Sequence, residues 1–101
     1  VIDHILENHP ETLTVISSDL SHFHPYDICK NIDGKLIEGV IELDLNKVSE
    51  GEACGMIGIK AAVESSIKNE LKPIVLNYLN SGDIIPDKKN VVGYVSIAFT
   101  K

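Results

Sequence analysis

The run Val91-Val92-Gly93-Tyr94-Val95-Ser96-Ile97-Ala98-Phe99 constrains the fold more than any other stretch of the chain. Alternate residues of a strand point to opposite faces. One face carries Val91, Val95, Ile97 and Phe99, and the other Val92, Tyr94, Ser96 and Ala98. Both faces are mostly apolar, so helices are expected on each side of the sheet that holds this strand. Two more runs read as strands. Thr12 to Ile16 is β-branched and apolar, and Ile74 to Leu79 follows the break at Lys72-Pro73. Helical patterns lie between these runs, which points to an α/β fold rather than a sandwich.

Ile2, Ile5 and Leu6 share one face of an opening helix, which His9-Pro10-Glu11 ends. A second helical pattern starts near Asp27, with a turn at Asn31 to Gly34 that could interrupt it. Leu36, Ile37, Val40 and Ile41 then form an amphipathic stripe, closed by Asp44-Leu45-Asn46. Val48 to Cys54 reads as a turn of helix or a loop. Met56, Ile59, Val63 and Ile67 place a further helix after Gly55, weakened at Gly58. Asn80 to Asp83 is a turn cluster, and 84–90 a polar loop. The 101 residues suffice for about one domain. The chain opens at Val1 on what reads as a helix entered midway, so it is expected to be the C-terminal part of one larger domain whose N-terminal half is absent.

Composition narrows the partners. The formal charge is -6, and all nine basic residues are lysines. A chain without arginine lacks the bidentate fork that holds phosphates, and an acidic one is poorly suited to DNA. Aromatic residues make up only 5%, so there is no stacking platform for nucleic acid either. No apolar run approaches the ~20 residues of a membrane helix. There is no Gly-rich phosphate loop, paired CxxC, HExxH or GxSxG. Two cysteines, Cys29 and Cys54, do not make a disulfide framework, and reduced thiols in a cytoplasmic protein are the simpler expectation.

Three stretches could carry chemistry. Ser17-Ser18-Asp19-Leu20-Ser21-His22-Phe23-His24-Pro25-Tyr26 follows a strand directly, where the ligand crevice of an open α/β sheet lies. His22 and His24 are two apart, so an extended segment could aim both imidazoles the same way. The alternative is a solvated loop in which Asp19 caps a turn. In Gly51-Glu52-Ala53-Cys54-Gly55-Met56, Cys54 stands at a helix N-terminus, whose positive end favours the thiolate. The alternative there is a small buried apolar residue, which is also the reading for Cys29. Asp83 lies just past a strand end, and a plain turn explains it equally well.

Taken together, Ser-Ser-Asp-Leu-Ser-His-Phe-His-Pro-Tyr at 17–26, Ala-Cys-Gly at 53–55, and Tyr-Leu-Asn-Ser-Gly-Asp, Asp-Lys and Val-Val-Gly-Tyr across 78–94 resemble the Memo family, in its C-terminal portion and in an archaeal or bacterial member. The resemblance covers nearly the whole chain. It implies a fold similar to the class III extradiol dioxygenases, which have a central sheet flanked by helices and a non-haem iron site at the sheet's edge. It implies a pocket in which His22 matches the family's C-terminal histidine and Cys54 its cysteine, with Asp19 orienting His22. His24 and Asp83 carry less of the resemblance. It further implies metal binding by His22 and Cys54, with copper or iron as cofactor, and oxidoreductase chemistry. The alternative is a non-enzymatic cleft for a peptide or protein. The implied partner in either case is the N-terminal half, whose histidines complete the pocket. Two ligands fall short of the usual three or four, so the chain by itself is expected to be inactive.

Overall fold

The computed structural model describes residues 7–9 and 15–100. The apolar face of the opening helix, Ile2, Ile5 and Leu6, lies outside them, as does most of the strand expected over Thr12 to Ile16. Helix α1 runs from Tyr26 to Ile41, α2 from Leu45 to Ser49 and α3 from Met56 to Asn69. Strand β1 spans Lys72–Asn80 and β2 Gly93–Thr100, with a short 3-10 turn at Ser81–Asp83.

No interruption occurs at Asn31 to Gly34; α1 is continuous. The turn-forming residues are held helical by what they meet. Cys29, Asp33, Leu36 and Val40 repeat every three or four residues and form its buried stripe, and Asp33 has hydrogen-bond partners inside. Gly39 is also buried. A Cβ there would come within 2.5 Å of the Val48 backbone nitrogen, so glycine is what lets α2 pack this closely on α1. Asp44 does not continue α1 but caps α2, accepting from the N–H groups of Asn46 (3.0 Å) and Lys47 (3.3 Å). Lys47 then reaches back to Glu38 (2.9 Å) on α1 and to Glu42 (2.6 Å) at its C-cap. Helix α3 falls where the Met56, Ile59, Val63, Ile67 spacing places it, and ends at Glu70 in the left-handed conformation (φ 55°).

The sheet of the described residues has two strands, β1 and β2, paired antiparallel from Lys72↔Thr100 to Asn80↔Gly93, with an irregularity between Val75 and Asn77. It is therefore a mixed helix and strand fold, in which helices precede an antiparallel pair rather than alternating with parallel strands. Leu20, Leu36, Val40, Val48 and Val63 form the core, with Val95, Ile97 and Phe99 of β2 packed against it. The opposite sheet face carries Ile74, Leu79 and Tyr94, all exposed. Cover on both sides, expected from the sequence, is thus found on one face only among the described residues.

Val15 and Ile16 correct the strand expectation. They are irregular, and Val15 is 77% exposed. β-branched residues extend readily, but a strand is held only by a neighbour, and no strand of the described sheet pairs with them. Further on, the same segment does join the sheet. Leu20 N–H donates to Gly93 O (2.9 Å), Gly93 N–H to Ser21 O (3.1 Å) and Val91 N–H to His24 O (2.9 Å). These bonds fasten the loop 17–24 alongside the start of β2. No helix of the described residues is long and apolar enough to cross a membrane.

Candidate functional site

Two segments far apart in sequence meet at Asp19. Its N–H donates to Cys54 Sγ (3.3 Å), and its carbonyl accepts from Cys54 N–H (3.3 Å). Ser18 seals the junction. Its hydroxyl donates to Asp19 O (2.7 Å), accepts from Gly55 N–H (2.8 Å) and lies 3.6 Å from Cys54 Sγ. On the other side of Asp19, a carboxylate oxygen stands 3.5 Å from His22 Nε2. The imidazole and the thiol are thus both anchored on one residue, His22 through the Asp19 carboxylate and Cys54 through the Asp19 backbone.

The electrostatics follow from these contacts. Cys54 is exposed and unbridged. The Ser18 hydroxyl, and after it the Asp19 N–H, hold its thiol below the ordinary value. The sequence attributes that effect to the N-terminus of α3. The structure puts Gly55 at the cap and Cys54 two residues before the helix, where a side chain and a loop amide do the work. Cys29 differs in every respect: it is fully buried, and burial pushes its thiol up.

His24 turns away from His22 to a second partner. Its Nε2 sits 2.9 and 3.1 Å from the two carboxylate oxygens of Glu52, two residues before Cys54. The loop 17–24 and the segment before α3 are thereby stitched together twice. Phe23 between the two histidines adopts a left-handed φ of 58° and is 71% exposed, with its ring 5.9 Å from that of His22. This break in the extended run directs the two imidazoles to different carboxylates.

Asp83 is placed elsewhere. It accepts from Tyr26 O–H (2.6 Å) and from Asn80 N–H (2.9 Å), while Asn80 accepts from Asp83 N–H (3.1 Å), a reciprocal cap on the 3-10 turn. Its hydrogen bonds go to Tyr26 and Asn80 rather than to His22 or Cys54, and the Tyr26 hydroxyl is the main cause that lowers its carboxyl. His9 is exposed, and His4 lies outside the described residues.

Ser18 and Glu52 are site residues that sequence reasoning did not single out. Their signal was adjacency, Ser18 to Asp19 and Glu52 to Cys54, but the pairing across 28 to 37 positions exists only in the fold. Among the described residues, no group of three or more His, Cys, Asp and Glu side chains is arranged to hold a metal ion.

Residues 1–98 match the Memo-like protein family. The chain is 38% identical over 97 residues to a MEMO1 family protein of Aeropyrum pernix, covering 90% of this chain and 34% of that protein. It is 35% identical over 96 residues to one of Nitrosopumilus maritimus, covering 87% and 34%, and 29% identical over 109 residues to one of Archaeoglobus fulgidus, covering 98% and 41%. The chain therefore spans about a third of the length of the first two relatives. No solved structure matches it. The chain belongs to the Memo-like family.

Proposed function

We propose that this chain supplies His22 and Cys54 as two donors of a metal-dependent redox pocket in a longer Memo-like protein. The observation that carries the reading is the double use of Asp19, which contacts the His22 imidazole with its carboxylate and Cys54 with its peptide groups. The donor types suit copper or iron, because a thiol held below its ordinary value binds as thiolate and imidazole complements it. Two donors are fewer than the three or four a metal centre usually takes, so the remaining ligands belong to other parts of the intact protein. A bound copper or iron ion would supply one-electron chemistry. The residues here have their own tasks. The His22 nitrogen that faces Asp19 is Nε2, which leaves Nδ1 as the ligand atom. Ser18 and the Asp19 amide lower the Cys54 pKa and aim its sulfur.

In this reading β1 and β2 form part of an extradiol-dioxygenase-like central sheet, with the N-terminal region of the longer protein as its partner. A cytoplasmic setting goes with two free thiols, one exposed. The lysine-only basic set and the charge of -6 argue against nucleic acid as partner. The test is metal content of the intact protein. The wild type should carry copper or iron, and His22→Ala and Cys54→Ser should each lose most of it. Equal metal in all three would overturn the proposal.

A second reading has an observation of its own. A groove of about 630 Å³ runs between residues 15–20, α3 and β2, lined chiefly by apolar side chains and reaching Ser18. Such a cleft suits a peptide or protein segment held without metal. A phosphopeptide is disfavoured by the absence of arginine. Binding of a partner that survives chelation would favour this reading.

A further inference from the structure

A buried polar cluster lies behind the site and takes no part in it directly. Asp33 is fully buried. Its Oδ1 accepts from the backbone N–H of Ser21 (3.0 Å), and its Oδ2 accepts from Tyr78 O–H (2.6 Å) and Cys29 S–H (3.2 Å). Ser21, also fully buried, donates its own hydroxyl to Cys29 Sγ (3.3 Å). Hydrophobic packing does not call for a carboxylate here. Burying one is costly, and a well-packed apolar side chain of similar volume often serves stability as well.

The position of the carboxylate explains its presence better. Ser21 sits between Asp19 and His22, and its peptide is gripped on both sides. Asp33 takes its N–H, and Gly93 N–H donates to its carbonyl (3.1 Å). Leu20, one residue earlier, donates to Gly93 O (2.9 Å). Gly93 is packed so tightly on this junction that a Cβ there would overlap the Asp33 carboxylate. With residues 20 and 21 fixed, the Asp19 amide is left pointing at Cys54 and the Asp19 carboxylate at His22.

We propose that Asp33 is the positioning residue of the candidate site: from the inner face of α1 it holds the Ser21 amide and so sets the turn that presents Asp19 to His22 and Cys54. The inference rests on reading this turn as the site but not on any metal. It makes a distinction between side chains at position 33. Asparagine can still accept the Ser21 N–H through its oxygen and donate to the Tyr78 hydroxyl. Alanine can do neither.

The experiment is the rate of Cys54 alkylation by iodoacetamide at pH 7 in the intact, folded protein after treatment with a chelator, located by peptide mass. Four proteins are compared: wild type, Asp33→Ala, Asp33→Asn and Val48→Ala, the last a core truncation on α2 that lowers stability without touching the turn. Cys54 is already exposed, so a looser turn adds no access; it removes the Asp19 donor and with it thiolate. Asp33→Ala should alkylate about fivefold more slowly than wild type, with Asp33→Asn and Val48→Ala close to wild type. An Asp33→Ala rate equal to wild type overturns the proposal. So does a rate that Val48→Ala or Asp33→Asn shares. Should Asp33→Ala not fold, Asp33→Thr, which fills more space but falls short of the Ser21 amide, takes its place with the same expectations. Hydrogen exchange of the Ser21 amide in the wild type decides independently. It should be as slow as the core amides of α1, and exchange at the rate of exposed loop amides would overturn the claim. Metal content that ignores His22→Ala and Cys54→Ser while this alkylation pattern holds would remove the metal reading and leave the positioning role intact. The reverse pattern would remove only the positioning role.

Discussion

The surroundings of Cys29 and Cys54 show how one residue type is put to opposite uses within the chain. Cys29 lies on the inner face of α1, fully buried, donating to Asp33 and accepting from Ser21. Burial raises its pKa and keeps it a neutral thiol. Cys54 lies two residues before α3, exposed, accepting from the Asp19 amide beside the Ser18 hydroxyl, and its pKa is lowered. Both are joined to the same short turn, Cys54 at Asp19 and Cys29 at Ser21. On one side of the turn burial raises the pKa of a thiol, and on the other hydrogen bonding lowers it. The contrast lies in who donates to whom: the inner thiol donates to a carboxylate, while the outer sulfur accepts from an amide and lies beside a hydroxyl.

The contrast can be broken most violently at its shared support. Gly93→Ala drives a methyl into the Asp33 carboxylate and should destabilise the protein by about 3 kcal/mol or unfold it, as read by urea denaturation. An unchanged midpoint would show that the junction is not tightly packed. The two thiols should themselves differ by on the order of 100-fold in alkylation rate at neutral pH, Cys54 the faster, and the ratio should collapse toward one in denaturant. Tyr78→Phe leaves Asp33 Oδ2 without its shortest donor and should cost about 1–2 kcal/mol by the same denaturation assay.

A pH scan sharpens the comparison through its sign. The folded pKa of Cys29 is raised above its ordinary 9.0, and that of Tyr78 above 10.0, mainly by burial in each case. Below those ordinary values the stabilisation is fully present. As pH rises past them the unfolded chain sheds protons first, so stability falls, and it is lost as pH passes the folded values. An alkaline decline in the urea midpoint beginning near pH 9 is expected, and Cys29→Ala should make it shallower. A decline unaffected by that substitution would assign it elsewhere. The smallest effect is Ser18→Ala, a change at a half-buried residue worth about 0.5–1 kcal/mol in stability. It should nevertheless slow Cys54 alkylation about threefold, because it removes the chief cause of the lowered pKa.

Local pattern carried some of this architecture and none of the long-range pairing. Met56, Ile59, Val63 and Ile67 announced α3, and the alternation from Val91 announced β2, because periodic burial leaves a periodic sequence. Asn31 to Gly34 read as a turn on local propensity, yet Asp33 is held in the helix by Ser21 and Tyr78, partners 12 and 45 positions away. Val15 and Ile16 read as buried strand because β-branched composition reports what a residue suits, not whether a neighbouring strand is there. At the site, His22, Cys54 and Asp19 stood out by chemistry and by family resemblance. Ser18, Glu52 and Asp33 did not, since a serine, a glutamate and a helical aspartate acquire their roles only from what they face.

Everything rests on the Ser18–Asp19 turn lying against Cys54, and this is open to direct capture. Ser18→Cys places a second thiol where a hydroxyl lies 3.6 Å from Cys54 Sγ. Under a mild oxidant the folded protein should close an intramolecular disulfide between position 18 and Cys54, seen as a two-dalton mass loss on the joined peptides, while Cys29 remains free. Only intermolecular dimers, or no bridge at all, would show that the two segments do not meet.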